Sequence, residues 1–335
     1  IINSLGTNAR VGKSDWMVVE SDESDGTFAK LPSVFSIITN IDPEHMDHYK
    51  TYERLKREFV KYIHNLPFYG FGIVCIDHPT VRELLPRFKR NIFTYGFSKD
   101  AQIRAFNVRA DLNGFIYDVE FTDEFENFPK VIENVRIPLF GNHNVLNSLT
   151  CFAIGHQLGF KWKNIVKSMA KIPGVKRRFT QVGSYNDILV IDDYAHHPTE
   201  IEAVLMAART YIKNRGEGKI ISVFQPHRYS RVLNLFDGFC KCFNLSDDVV
   251  VLDVYAAGEQ QTSFIGKEAL ASGMRKYTKA KVHTLKHKEK LPILINDIAS
   301  PGDIVICMGA GDITKCAYAL PDGLKEVAEN KEAEK

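Results

Sequence analysis

The sequence predicts an α/β protein built from two doubly wound domains. Its 335 residues exceed the roughly 100–200 residues that a single domain usually contains. Strand-like apolar runs alternate with helical patterns in both halves of the chain, an order typical of βαβ units with a largely parallel sheet. Hydrophobic residues make up 44% of the chain and charged residues 25%, a balance that excludes the disordered and fibrous classes.

Charge and composition also exclude several kinds of function. The 43 Lys and Arg residues against 41 Asp and Glu leave a net charge of +2, too balanced for a protein whose main task is to bind nucleic acid. No apolar run reaches the roughly 18 residues of a membrane-spanning helix, so we expect no membrane association and a cytoplasmic location. The six cysteines include one close pair, Cys240 and Cys242, whose spacing does not suit zinc. We expect all six to be reduced.

The first domain is predicted to span residues 1–175. Its first elements are a strand at Met17–Glu20, a strand at Val34–Ile41, a helix at Tyr52–Leu66, a strand at Ile73–Asp77, a helix at Thr80–Phe88 and a strand at Ile92–Phe97. The helix at 52–66 is supported by apolar residues that recur every three or four positions.

A hairpin insertion and two helices complete the first domain. Polar and apolar residues alternate between Gln102 and Leu139 around the segment 111–114, which predicts a β-hairpin with a glycine-containing turn. Residues 143–171 have the pattern of two helices. Pro173 and Gly174 mark the predicted domain junction, because both residue types interrupt regular structure.

The second domain is predicted to span residues 176–335. Ile188–Ile191 predicts a buried strand, and Pro198 suits the first turn of a helix with an apolar stripe. The later predicted elements are strands at Ile220–Phe224, Val249–Tyr255, Val282–Leu285 and Ile304–Met308, with helices at residues 229–243, 266–277 and 289–299. The last residues, Lys325–Lys335, are mostly Lys, Glu and Ala and predict a frayed, solvated tail.

A possible phosphate loop near the N-terminus fails on spacing and on context. Five residues separate Gly6 from the Gly-Lys-Ser sequence at 12–14, one more than a phosphate-binding loop allows. Such a loop joins a strand to a helix, whereas here the predicted strand Met17–Glu20 comes next. We therefore expect no nucleotide phosphate site there.

Two acidic clusters follow predicted strands. Residues 20–25 are Glu-Ser-Asp-Glu-Ser-Asp, and residues 42–48 are Asp-Pro-Glu-His-Met-Asp-His. Loops beyond the carboxyl ends of parallel strands are where ligands bind in open α/β sheets. Carboxylates with a histidine can hold Mg²⁺, and two solvated acidic loops are the alternative.

Polar side chains cluster near the starts of three predicted helices. Asn144 and Asn147 lie three residues apart on one helix face, where amides can contact a base edge or simply cap the helix. Residues 192–198 place acids, a tyrosine and two histidines after a strand. Residues 225–231 place two guanidinium groups after the next strand, and these could grip a carboxylate or phosphate. Surface charge is the alternative for the last two segments.

Seven of these segments, in order, carry a family resemblance: Glu20–Asp25, Thr39–Asp47, His64–Gly70, Gly141–Asn147, Arg177–Phe179, Asp192–Pro198 and Phe224–Arg228. Together they resemble the Mur ligases of bacterial cell-wall synthesis. The acidic loop and the His-Met-Asp segment favour the alanine-adding branch over the branches that add later residues.

The resemblance implies a plan of three domains, for a UDP-sugar, for ATP and for the incoming amino acid. On this plan, residues 1–175 are a truncated central ATPase-like domain with the β-hairpin insertion, and residues 176–335 are a C-terminal Rossmann-like domain. The chain would then lack the UDP-sugar domain and the family's Gly-Lys-Thr phosphate loop. We expect the chain on its own to be inactive, and its oligomeric state stays open.

The resemblance also implies a reaction that uses ATP and Mg²⁺. The complete enzyme would move the γ-phosphate of ATP to the lactyl carboxylate of UDP-N-acetylmuramate, and the amine of L-alanine would attack the resulting acyl phosphate. The implied metal ligands are Glu20 and His45, and the implied nucleotide contacts are His143, Asn144, Asn147, Arg178 and Asp193. The implied substrate contacts are Tyr194, His196, His197, Arg228 and Arg231. Catalytic roles fall to Glu20, His45, Arg178, His196 and Lys56, with domain closure completing the site.

Two positions and two alternatives stay open at this point. Lys56 lies where several relatives carry a carbamylated lysine that supports a metal, although an exposed helix lysine is the other interpretation. Thr180 stands where the family usually has an acidic residue, which puts that function in doubt here. The alternatives for the whole chain are a ligase that recycles murein tripeptide, or a non-catalytic module that binds a nucleotide or an amino acid.

Overall fold

The structure, a computed structural model, describes residues 7, 9–111, 114–172, 174–260 and 266–333. These residues divide into two compact units. The first unit consists of residues 9–109 and 114–172, and the second contains residues 174–260 and 266–333. Each unit is built on a six-stranded sheet.

The first unit follows the predicted alternation of strands and helices. Its elements are β1 (Phe35–Ile38), α1 (Met46–Tyr49), α2 (Tyr52–His64), β2 (Phe71–Cys75), α3 (Pro79–Leu84), β3 (Asn91–Gly96), β4 (Ile103–Asp111), β5 (Gly114–Phe121), β6 (Val131–Ile137), α4 (Asn142–Gln157) and α5 (Trp162–Met169). The strands lie in the order β1-β2-β3-β4-β5-β6. Strands β1 to β4 pair in parallel, and β5 pairs antiparallel with β6.

Helix α2 shows why these predictions are confirmed. The hydroxyl of Thr51 accepts a hydrogen bond from the backbone amide of Arg54 at 3.3 Å and caps the first turn. Leu55 and Ile63, two turns apart on one face, are fully buried in the core that covers β1 and β2. The apolar period read from the sequence is therefore the packing face of the helix.

The predicted insertion is larger than a hairpin. Strand β4 continues the sheet in parallel from β3, with Tyr95 opposite Ile103, and β5 and β6 extend it further. Of the predicted turn, residues 112 and 113 lie outside the described residues. The alternating pattern therefore marked three strands that lengthen an existing sheet.

The predicted strand at Met17–Glu20 is wrong. These residues have no regular secondary structure, and Met17 and Val18 are 85% and 96% exposed. The preceding Trp16 packs its ring 5.5 Å from that of Phe35 in β1. A strand needs a partner for its backbone hydrogen bonds, and none of the described strands pairs with this segment.

The second unit is a doubly wound sheet. Its elements are β7 (Thr180–Tyr185), β8 (Ile188–Asp193), α6 (Pro198–Arg215), β9 (Ile220–Phe224), α7 (Tyr229–Asn234), α8 (Phe236–Lys241), β10 (Asp248–Val251), α9 (Lys267–Tyr277), β11 (Lys281–Thr284), α10 (Leu291–Ile298), β12 (Ile304–Met308) and α11 (Ile313–Ala333). The strand order is β11-β10-β9-β12-β8-β7. Only β7, which the sequence did not predict, runs antiparallel to its neighbour among the described strands.

Helices cover both faces of this sheet. Side chains of α6, α7, α8 and α9 pack in one core, and those of α10 and α11 pack in another on the opposite face. The doubly wound prediction is therefore confirmed. The prediction of a frayed tail at Lys325–Lys335 is wrong, because α11 continues to residue 333. The prediction that this tail is solvated is confirmed for residues 325, 326 and 329–331, which are exposed.

The cysteines agree with a further expectation from composition. All six cysteines are unpaired thiols, and four of them are buried. Among the described residues, no helix combines the length and the apolar character needed to cross a bilayer.

Candidate active site

The first unit brings its two acidic loops together. Nε2 of His45 lies 3.5 Å from a carboxylate oxygen of Glu23 and 3.9 Å from one of Glu44. One ligand atom from each of these three residues falls within 4.8 Å of the other two. The second loop follows β1, and His45 takes a left-handed conformation (φ 53°) immediately before α1. The carboxyl-end rule therefore holds for the second loop, whereas the first loop follows a segment without regular secondary structure.

Short-range hydrogen bonds shape the first of these loops. The hydroxyl and the backbone amide of Ser24 both donate to Asp22 and lower the pKa of its carboxyl group. Thr27 does the same for Asp25. The hydroxyl of Tyr49 donates to the backbone carbonyl of Glu23, which ties the loop to α1. Both aspartates therefore stay ionised at neutral pH and keep the loop strongly acidic.

The donor set of Glu23, Glu44 and His45 fits a small divalent cation. Carboxylate oxygens are the ligands that Mg²⁺ prefers, and the ion commonly retains water in its remaining positions. Glu20, the sequence-predicted ligand, lies in the exposed segment before the loop and is not part of this group. Glu23 and Glu44 belong to the quoted motifs, but the sequence pattern does not reveal which acid of each motif turns toward the histidine.

Lys56 is buried and held by two carboxylates. Its Nζ donates to both oxygens of Glu83 at 3.0 and 2.9 Å and lies 3.0 Å from an oxygen of Glu53. It also lies 4.9 Å from the centroid of the Tyr52 ring. The hydrogen bonds from Lys56 to Glu83 and then to Glu53 raise the pKa of the lysine. An exposed helix lysine is therefore ruled out, and the carboxylates favour the ammonium form over the neutral amine that carbamylation requires.

The predicted adenine contacts lie on the first turns of α4. The side-chain amide of Asn144 donates to the backbone carbonyl of Phe140 at 2.7 Å, so its nitrogen already has an acceptor. His143 and Asn147 are exposed. One helix turn therefore presents these polar groups, as the spacing predicts.

In the second unit, two adjacent aspartates end β8 in different environments. Asp193 is 3% exposed, and its carboxylate accepts from the backbone amides of Phe179 and Ala195, each at 2.7 Å. Burial raises the pKa of Asp193 to about 6. In this structure both carboxylate oxygens of Asp193, which the resemblance implies as a nucleotide contact, accept hydrogen bonds from the backbone. Asp192 is fully buried and accepts from the hydroxyl of Thr314 at 2.6 Å.

Two arginines border a cavity of about 410 Å³ near these aspartates. The guanidinium of Arg177 lies 4.7 Å from the centroid of the Tyr194 ring and donates to the backbone carbonyls of Gly309 and Gly311. Arg178 is more exposed, with Nη1 4.0 Å from Glu200. Arg178 can therefore turn toward an anionic ligand, whereas Arg177, which sequence reasoning did not assign, braces the loop after β12.

His196 is held in one tautomer. Its Nδ1 lies 2.9 Å from the backbone carbonyl of Tyr194, and because a carbonyl only accepts, Nδ1 must carry the proton. Burial lowers the pKa of His196, so the ring is neutral at pH 7 and Nε2 has a lone pair. The next residue, His197, is the N-cap of α6 and forms a capping box with Glu200. His197 thus shapes the helix start.

His227 is held in the opposite tautomer. A guanidinium nitrogen of Arg231 lies 3.1 Å from its Nδ1, and because arginine only donates, Nδ1 must accept. Burial and the charge of Arg231 lower the pKa of His227 to about 4, so Nε2 carries the proton of a neutral ring. The rings of His196 and His227 lie 6.2 Å apart. The pair thus offers one proton acceptor and one proton donor close together.

This arrangement suits a small amino acid. Arg231, the exposed Arg228 and the Nε2 proton of His227 can hold a carboxylate. Nε2 of His196 can accept a proton from an amine. Sequence reasoning identified His196 and the two arginines, but it missed His227 and also Tyr255, whose ring stacks on His227 with centroids 5.6 Å apart.

Comparison with known proteins identifies the family. The pattern of the Mur ligase middle domain matches residues 3–155, and that of the Mur ligase glutamate ligase domain matches residues 177–311. The chain is also 50% identical over 321 residues to the UDP-N-acetylmuramate--L-alanine ligase of Rhodospirillum centenum, covering 96% of this chain and 66% of that protein. The chain belongs to the Mur ligase family. The ligase of the same name from Rhodospirillum rubrum is 50% identical over 328 residues, covering 98% of this Mur ligase chain and 67% of the relative.

Solved structures of Mur ligases share the fold. A UDP-N-acetylmuramate-alanine ligase, MurC, from Thermotoga maritima matches with a TM-score of 0.73 at 24% identity, over 91% of this chain and 63% of that chain. The MurF ligase from Thermotoga maritima in complex with ADP matches with a TM-score of 0.67 at 17% identity, over 90% of this chain and 65% of that chain. This Mur ligase chain thus spans about two thirds of the length of the relatives that it matches.

Proposed function

We propose that this chain carries the catalytic and amino-acid-binding parts of a cytoplasmic, ATP-dependent ligase that joins L-alanine to UDP-N-acetylmuramate in peptidoglycan synthesis. The observation that supports this most strongly is the 50% identity, over nearly the whole chain, to relatives with that activity in their names. The geometry agrees, since one unit carries a cation-binding group and the other carries groups suited to a small amino acid.

In the first step, the γ-phosphoryl group moves from ATP to the lactyl carboxylate, giving ADP and an acyl phosphate. Glu23, Glu44 and His45 would hold Mg²⁺, with Glu20 as the competing ligand from the sequence motif. When bound, Mg²⁺ offsets the negative charge that phosphoryl transfer brings together. Asn144 and Asn147 would contact the adenine of ATP.

In the second step, the alanine nitrogen attacks the acyl carbon, a C–N bond forms, and phosphate leaves. Arg228, Arg231 and the Nε2 proton of His227 hold the alanine carboxylate. Nε2 of His196 takes the proton that the amine loses, because its tautomer and its lowered pKa leave it as a neutral base at pH 7. Arg178 neutralises phosphate charge, and Lys56 keeps Glu53 and Glu83 in place as an ammonium group.

The test compares this chain with a fusion to the part of the Rhodospirillum centenum relative that lies outside the match. Phosphate release from ATP is measured with UDP-N-acetylmuramate and L-alanine, and the product is identified by mass. We expect the fusion to release phosphate only when all three substrates are present. We expect an H196N variant to lose amide formation, while the surface control D297N, which breaks an exposed ion pair with Lys331, retains it. Lack of phosphate release from both proteins contradicts the proposal, and equal use of a murein tripeptide would favour the recycling ligase.

A further inference from the structure

The loop that follows β10 is built against the proposed amino-acid site from one side. Tyr255 forms a parallel bridge with His227, its amide donating to the carbonyl of Pro226 and its carbonyl accepting from the amide of Arg228, both at 2.8 Å. The two rings of the bridge stack nearly parallel, at 10°. The position and the plane of the His227 imidazole are therefore set by Tyr255.

Glu259, at the other end of this loop, holds the start of α7. One carboxylate oxygen accepts from the backbone amide of Ser230 at 3.0 Å, and the other accepts from its hydroxyl at 2.5 Å. Ser230 stands between the two arginines of the site, Arg228 and Arg231. The carboxylate thus fixes the short backbone segment from which both guanidinium groups project.

The backbone at Arg228 needs this support. Arg228 has φ 67° and ψ 131°, a conformation that residues other than glycine rarely adopt. Such strain persists where surrounding contacts determine it, and here the contacts come from Tyr255 on one side and from Glu259, through Ser230, on the other.

A hydrogen-bonded turn at residues 256–259 connects Tyr255 to Glu259. The amide of Glu259 donates to the carbonyl of Ala256 at 3.0 Å, and the two residues between them, Ala257 and Gly258, both have positive φ. This is the pattern of a tight type I′ turn. Behind Tyr255, a methyl group added at Gly311 would come within 2.7 Å of its Cγ, so the ring is seated directly against backbone.

From these contacts we propose that Tyr255 and Glu259 are positioning residues for the amino-acid substrate, with Tyr255 orienting His227 and Glu259 holding Arg228 and Arg231. The proposal rests on the proposed function, since it takes the site between His196 and Arg231 to be the alanine site. Neither residue needs to touch the substrate. Each acts through a side chain that does.

The test follows binding by NMR, which requires no turnover. L-alanine is titrated into the chain while the imidazole signals of His196 and His227 are recorded, with ¹⁵N shifts reporting the tautomer of each ring. We expect saturable shifts in the wild type, and in E259A an apparent Kd raised by about tenfold, because the hydrogen bonds that fix both arginines are lost. E259Q keeps one acceptor oxygen for Ser230 and recovers part of the affinity.

Tyr255 has its own pair of variants. Y255F keeps the stacked ring and leaves both the affinity and the His227 tautomer signature unchanged, whereas Y255L loses that signature and weakens binding. D297N is the matched control, because it removes an exposed ion pair with Lys331 on the other side of the sheet. If E259A fails to fold, S230A removes the same side-chain hydrogen bond from the other partner.

The outcomes separate the two proposals. If L-alanine moves neither imidazole in the wild type, the proposed amino-acid site is wrong. If the wild type binds and E259A and Y255L bind equally well with unchanged ring signals, the site stands and the positioning roles are wrong.

Discussion

The acidic loop at residues 20–25 and the aspartate pair at the end of β8 look alike as sequence but differ in their surroundings. Asp22 and Asp25 lie in an irregular loop, where donors from Ser24 and Thr27 lower the pKa of both. Asp193 ends a strand inside a sheet, where burial raises its pKa to about 6. An acidic motif therefore sets which groups are available, and the elements around it decide whether they face a ligand or support the backbone.

The largest expected effect is the loss of the Asp193 carboxylate. In D193A, one buried and one half-buried backbone amide lose their acceptor at about 1–3 kcal/mol each, and relief of the buried charge offsets part of this, leaving a net loss of about 2 kcal/mol in the free energy of unfolding at pH 7. Amide hydrogen exchange measures this loss of stability, and we expect the amides of Phe179 and Ala195 to exchange faster in D193A than in the wild type. D123A, which breaks an exposed ion pair with Lys130, should stay within about 0.5 kcal/mol of the wild type. Equal exchange in D193A and the wild type would show that the carboxylate does not hold these amides.

The second prediction concerns the pH dependence of stability, which should have opposite signs for Asp193 and for the aspartates of the loop at residues 20–25. Because the folded pKa of Asp193 is raised, the folded state binds its proton more tightly, and stability from this group grows as pH falls from 7 through 6 toward 4. For Asp22 and Asp25 the folded pKa is lowered, so their stability is present above the ordinary pKa and is lost as pH falls through the folded value. Carboxyl ¹³C titration by NMR measures each group directly. If Asp193 titrates below pH 4, its pKa is not raised, and the predicted difference from Asp22 and Asp25 is wrong.

The smallest effect tests which acid of the first cluster serves a cation. Mn²⁺ stands in for Mg²⁺, and its binding is followed by paramagnetic broadening of the His45 signals. We expect E23Q to weaken Mn²⁺ binding by about tenfold, because it removes one carboxylate of the group, while E20Q stays within about twofold of the wild type. If E20Q weakens Mn²⁺ binding more than E23Q does, the cation ligand is Glu20, as the family motif implies.

Much of the fold could be predicted because burial leaves a periodic pattern. The apolar stripe of α2 and the continuous apolar run of β9 both predicted their elements. The same pattern was present in α11 at Ala317, Leu320 and Leu324, and it was outweighed by the Lys and Glu residues that follow. Strand β7 was missed because its residues are only half-buried and show no clear alternation.

The sequence alone did not predict features that depend on contacts between segments far apart in the chain. The run Met17–Glu20 has the composition of a strand, but composition does not say whether another strand is there to pair with it. For the site, the family resemblance implied that the two acidic loops share a metal through Glu20 and His45, and the structure places Glu23 rather than Glu20 beside His45. The sequence did not predict Tyr255 and Glu259, although one signal existed: a glycine-containing turn with an acid directly after β10, next in order to the two strands that carry the histidines.

The burial of the cysteines has a practical consequence for chemical labelling. Burial raises the pKa of all six thiols, so each forms less of the reactive thiolate at neutral pH than an ordinary cysteine does. A cysteine introduced at an exposed position, such as that of Leu233 or Tyr318, would react with a maleimide dye well ahead of the native ones. Fluorescent reporters can therefore be placed on this protein without first removing its own thiols.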